Sequence, residues 1–143
     1  MDQGAEGGLR LPRGKRVLVV EDNQEILRSL GDVLRDHGCE VIEAPNGATA
    51  LARLEVGGVD LVLTDLAMPG VSGWEVASAC RERYPETPVG LITGFGDQLE
   101  PEKLERHGIR FVVAKPFSSD ELLQVVATAL KGPGLVRASL AAR

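Results

Sequence analysis

Apolar positions along this chain follow two rhythms, short unbroken runs and a three-to-four spacing. Arg16-Val17-Leu18-Val19-Val20 is the first run, apolar enough to be covered on both faces like a strand of a parallel sheet. Glu21-Asp22-Asn23 ends it. Ile26, Leu27, Leu30, Val33 and Leu34 then share one helical face, stopped by Gly38. Cys39 to Ala44 is a second strand, more polar and so nearer an edge. Asn46-Gly47-Ala48 opens a helix carrying Ala48, Leu51, Ala52 and Leu54, closed by Gly57-Gly58. The central run from Val59 drives through Leu61-Val62-Leu63-Thr64 straight into Asp65, and a Pro69-Gly70 loop follows.

Ser72 and Glu75 have the spacing of a reciprocal helix cap. The helix they open turns Val76, Ala77 and Cys80 inward and ends before Pro85. Pro88 to Thr93 is a fourth strand. A short polar helix from about Gln98 to His107 has Leu99 and Leu104 as its anchors. Ile109 to Ala114 is a fifth strand, ending in Lys115-Pro116-Phe117. Ser118 and Ser119 offer caps for the last helix, which buries Leu122, Leu123, Val126, Ala129 and Leu130 before Lys131-Gly132-Pro133-Gly134.

Strands thus alternate with helices five times, and such crossovers are right-handed. The expected architecture is α/β, a doubly wound five-stranded parallel sheet with helices on both faces. Residues 16–131 form the domain. The Gly-rich residues 1–15 read as a flexible linker or an expression remnant, and residues 132–143 as a C-terminal tail. The chain's 143 residues suffice for one domain with a real core. A formal net charge of −5 without a basic stripe argues against nucleic-acid binding. No run approaches the ~18 apolar residues that would span a membrane, and no signal-peptide core leads the chain. A cytoplasmic protein without direct membrane contact is expected. Cys39 and Cys80 are too far apart for a metal motif and suit buried, reduced thiols.

Chemistry concentrates where strands end. The first gives Glu21 and Asp22, the third Asp65, the fourth Thr93 and the fifth Lys115. In a parallel sheet these ends lie on one side, where open α/β sheets bind ligands. Carboxylates gathered there repel one another unless one is protonated or a cation sits among them. A small set of hard oxygen ligands suits Mg²⁺, which completes its octahedron with water and phosphate oxygens. Lys115 and the Thr93 hydroxyl could hold a phosphoryl group, with Asp65 either a third metal ligand or the attacking group. An aspartate attacking phosphorus becomes an acyl phosphate.

From Arg16 to about Lys131 the chain resembles a bacterial response-regulator receiver domain. Glu21-Asp22 is similar to the family's acidic pair, and Asp65-Leu66-Ala67-Met68-Pro69 followed by Gly73 to its D-x-x-M-P-x-x-x-G signature. Thr93 stands at the switch hydroxyl and Lys115-Pro116-Phe117 at the K-P-F end of the fifth strand. The resemblance implies a flavodoxin-like three-layer sandwich with strand order 2-1-3-4-5. It implies that Asp65 accepts phosphate from the phosphohistidine of a histidine kinase or histidine phosphotransfer domain. Mg²⁺ would be held by Glu21, Asp22, Asp65 and the Met68 backbone carbonyl, while Thr93 and Lys115 hold the phosphoryl group. Such domains catalyse their own phosphorylation and usually their own hydrolysis. The expected output is a changed surface of the fourth helix, fifth strand and fifth helix, through which a homodimer could also form. The lead-in Leu11-Pro12-Arg13-Gly14 resembles the linker before C-terminal receivers of hybrid histidine kinases.

The chain also departs from the family. The position three before the lysine, often aromatic, is Val112, and Phe111 sits one place earlier, on the other face if the strand is regular. Ala67 and Phe95 occupy two positions that tune dephosphorylation; neither can orient a water, so slow self-hydrolysis is expected. Other classes weigh less. A haloacid-dehalogenase-like phosphatase needs a second Asp where Ala67 stands, a flavin-binding module needs a hydroxyl-rich loop after the first strand, and an interaction module that has lost phosphorylation would not need the full acidic, hydroxyl and lysine set. Trp74 reads as half-buried on the outer side of its helix. His37 and His107, each before a glycine at a helix end, carry no catalytic role.

Overall fold

The computed structural model describes residues 11–94 and 99–131. The continuous apolar runs are strands: β1 (Arg16–Val20), β2 (Glu40–Ala44), β3 (Leu61–Asp65), β4 (Val89–Thr93) and β5 (Ile109–Ala114). The three-to-four spacings are helices: α1 (Gln24–Asp36), α2 (Gly47–Val56), α3 (Gly73–Arg83), α4 (Pro101–Arg106) and α5 (Ser119–Lys131). All neighbouring strands pair in parallel, in the order β2-β1-β3-β4-β5. β2, the most polar strand, lies at an edge, as its composition predicts.

The period of two along each strand divides the core. Val17, Val19, Leu61, Leu63, Ile92, Phe111 and Val113 face α1 and α5. Leu18, Val20, Val62, Leu91 and Val112 face α2, α3 and α4. Each such side chain, when fully buried, contributes about 1.5–3 kcal/mol over an exposed one. Leu11, within the expected linker, is only 5% exposed and packs into the α1/α5 layer. Cys39 and Cys80 are buried and unpaired, and burial pushes the Cys80 thiol up to about 11.

Local side chains start the helices. Asn23 and Asn46 cap α1 and α2 by accepting from the amides of Ile26 and Thr49. Ser72 and Glu75 form the expected reciprocal cap on α3, and Ser118 and Glu121 form another on α5. Caps of this kind are worth about 1 kcal/mol each.

Two expectations need correction, while the opposition of Phe111 and Val112 expected in β5 holds despite a shift in register. On α2 the buried residues are Gly47, Ala50 and Leu54, whereas Ala48 and Ala52 are exposed and Leu51 is half-buried. Gly47 decides this face: a Cβ there would lie 2.5 Å from the Val71 carbonyl oxygen, so the helix docks through its glycine. α4 spans only Pro101–Arg106; Leu99 precedes it and Gln98 lies outside the described residues. Pro101 suits a first helical turn, where its missing N–H costs nothing. β5, finally, is not regular. Val89 pairs with Ile109 but Gly90 pairs with Phe111, so the register shifts at Arg110. Ile109 and Val112 thereby face one layer and Phe111 the other. A Cβ on Gly90 would meet the Phe111 ring at 2.3 Å, so the glycine makes room for the aromatic.

Candidate functional site

β1, β3, β4 and β5 deliver Glu21, Asp22, Asp65, Thr93 and Lys115 to the C-terminal edge of the sheet. Glu21 follows β1 directly; its amide donates to the Ala44 carbonyl and its side chain is turned inward, 3% exposed. The Glu21 carboxylate accepts from the Asn23 amide at 3.0 Å. Asn23 therefore both caps α1 and orients an acidic residue. Its place before a helical spacing signals the cap, but the second role needs the fold. Asp22 is exposed beside it.

Asp65 ends β3 with its side chain 12% exposed, and its Oδ1 accepts from the Leu66 amide at 3.0 Å. Lys115 Nζ sits between two acids, 3.5 Å from Asp65 Oδ1 and 3.5 Å from Glu21 Oε1. The Lys115 amide donates to the Thr93 carbonyl at 2.9 Å, fixing the end of β5 against the end of β4. The Lys115–Pro116 peptide is cis. Thr93 is buried at 1% exposure, and among the described residues no atom lies within 4 Å of where a Cβ on Gly94 would stand. Met68 buries its side chain in the α2/α3/α4 layer. Phe95 lies outside the described residues, and Ala67 is exposed.

One carboxylate oxygen from each of Glu21, Asp22 and Asp65 lies within 4.8 Å of the others. Three carboxylates against one ammonium leave two formal negative charges in a half-buried cleft. Burial raises the pKa of Asp65 above its usual range, against the pull of Lys115. Burial likewise raises that of Glu21, opposed by the Asn23 amide. Both shifts register the cost of holding these groups ionised without a further cation. Three converging hard oxygens fit a divalent cation of the Mg²⁺ type.

The family model of the response regulator receiver domain matches residues 17–127. The chain belongs to this receiver family. The receiver is 34% identical over 112 residues to the response regulator protein FleR of Pseudomonas aeruginosa, covering 78% of this chain and 24% of FleR. It is 34% identical over 115 residues to the sensory transduction protein RegX3 of Mycolicibacterium smegmatis, covering 80% of this chain and 50% of RegX3. The receiver thus spans between 17% and 52% of the length of the curated relatives it matches. Its fold is similar to the crystal structure of the response regulator TrrA of Thermotoga maritima in complex with Mg²⁺–BeF, at TM-score 0.75 and 34% identity, covering 81% of this chain and 99% of that one. The acidic cluster of this receiver resembles a site of that kind. Among the described residues, no helix is long and apolar enough to cross a membrane.

Proposed function

We propose that the receiver takes a phosphoryl group onto Asp65 from the phosphohistidine of a histidine kinase or histidine phosphotransfer domain. The observation that carries this reading is the meeting of Glu21, Asp22 and Asp65 within 4.8 Å, with Lys115 at 3.5 Å from two of them. A free Asp65 oxygen attacks phosphorus in line. The P–N bond breaks and its electron pair returns to the imidazole, leaving an acyl phosphate. Glu21, Asp22, Asp65 and the Met68 carbonyl would hold Mg²⁺, which when bound neutralises charge on the phosphoryl oxygens. Lys115 supplies a positive charge to the transferring oxygens and Thr93 a hydroxyl donor. Both act from a strand end tied by the Lys115–Thr93 backbone bond, so little reorganisation is needed during transfer.

The added charge then biases the surface of α4, β5 and α5, by as much as a partner's affinity differs between its two states. The test is incubation with Mg²⁺ and acetyl phosphate or phosphoramidate, followed by intact-mass measurement. One phosphoryl group should be gained, and none in Asp65→Asn or after base treatment. No adduct on a folded chain, with Mg²⁺ binding absent, would point to an interaction module of the same fold. Steady phosphate release from phosphomonoesters would point to a phosphatase.

A further inference from the structure

Trp74 lies on α3, one residue beyond the point where that helix touches the phosphoacceptor loop. Gly73 donates its amide to the Leu66 carbonyl at 3.0 Å. It is pressed so close that a Cβ would lie 2.3 Å from the Asp65 carbonyl oxygen and 2.9 Å from the Leu66 Cα. The first turn of α3 is therefore the backing of the Asp65 backbone. Its other side is anchored on α4: Lys103 Nζ stands 4.6 Å from the centre of the Trp74 ring, and the His107 ring 4.7 Å from it. About two helical turns further along α3, Arg81 Nη1 donates to the carbonyls of Glu105 and Arg106 at 2.7 and 2.6 Å. α4 itself has six residues, one of them buried, Leu104, which is little apolar anchorage of its own. The directional contacts with Trp74 and Arg81 stand in for it, since a cation over an indole face holds orientation as well as distance.

We propose that Trp74 is a positioning residue tying the Asp65 backbone to α4, so that occupancy of the phosphoacceptor site and anchoring of α4 stabilise one another. The inference rests on the phosphoacceptor reading. The usual route through an aromatic on β5 is closed here, because Phe111 faces α1 and α5 and Val112 fills the α4 side. Thermodynamic coupling is reciprocal: whatever α4 anchoring adds to ligand affinity, ligand must add to α4 protection, by the same factor.

The experiment titrates the whole chain with beryllium fluoride in Mg²⁺ and follows hydrogen exchange of α4 amides by mass spectrometry. In the unaltered chain, exchange across Leu104–Arg106 should slow on binding. Trp74→Ala should bind about five-fold more weakly, with α4 no longer responding. Arg81→Ala should move both readouts the same way. Should Trp74→Ala fail to fold, Trp74→Phe keeps a packed ring with a weaker hold on Lys103 and should lose part of the affinity. Wild-type affinity in the folded Trp74 variants, or α4 exchange indifferent to ligand, would overturn the inference while leaving the phosphoacceptor reading intact. A folded chain that neither binds beryllium fluoride nor gains phosphoryl mass would remove both.

Discussion

The two faces of the sheet are built differently. On one, α1 and α5, each 13 residues long, lay Leu27, Leu30, Leu34, Leu122, Leu123 and Val126 against an unbroken apolar surface completed by Phe111. On the other, the shorter α2, α3 and α4 also bury an apolar cluster, but add to it close glycine approaches and directional contacts. Gly47 lies on Val71, Gly73 on Asp65, Arg81 on two carbonyls and Lys103 on Trp74. Apolar packing is non-directional and spread over many atoms, so the first face resists any single shift. Contacts of the second kind depend on orientation and can be altered one at a time. The acidic site lies where the two meet, with Glu21 and Asp22 following β1, Asp65 ending β3, Thr93 ending β4 and Lys115 following β5.

The comparison is broken most directly from the first face. Phe111→Ala should cost about 3–5 kcal/mol of unfolding free energy by urea titration, because the space beside Gly90 cannot collapse. Labelling of Asp65 should survive in the fraction that remains folded. A loss below about 1 kcal/mol would mean the frame is softer than its packing implies. On the second face the order of effects reverses. Gly73→Ala places a methyl against the Asp65 carbonyl and should cost about 1–3 kcal/mol of stability. Displacing the attacking carboxylate should slow Mg²⁺-dependent labelling by up to about 100-fold, read by time-resolved intact mass. Equal rates in Gly73→Ala and the unaltered chain would show that α3 does not back the site.

The smallest effect sharpens the electrostatics. The folded pKa of Asp65 is raised by burial, so its ionisation opposes folding. The penalty is absent below the ordinary value of 3.8 and complete once pH has risen through the folded pKa. Asp65→Asn, which cannot ionise, should therefore melt higher than the unaltered chain at neutral pH without divalent cations. The gap should close as pH falls through the raised pKa, and also on adding Mg²⁺, which binds the native carboxylates. A variant that melts lower at neutral pH would show that the pairing with Lys115 outweighs burial.

Much of this was legible in the residues. Continuous apolar runs ending in polar groups announce parallel strands, and the chemistry at their ends names Glu21, Asp22, Asp65, Thr93 and Lys115 before any fold is drawn. Close approaches of backbone were not legible. Ala48 and Ala52 match a helical stripe as well as Ala50 does, and only the contact of Gly47 with Val71 selects the buried face. The register shift at Arg110 has no signature in hydrophobicity, because Phe111 and Val112 suit either layer. Arg81 and Lys103 read as ordinary exposed charges until α3 and α4 lie side by side. Asn23 shows its capping role by position alone, but its hold on Glu21 depends on the turn of the chain after β1.

The distance along the chain between Glu21 and Lys115 has a consequence for biosynthesis. Lys115 comes 94 positions after Glu21, directly after β5, and its ammonium stands between the two acids. A ribosome-bound fragment ending before β5 would have its acidic residues but neither the lysine nor the edge that aligns Thr93. The full set of strand-end groups thus assembles only once β5 and Lys115 have been made, and a product cut short before β5 should stay silent toward a phosphodonor.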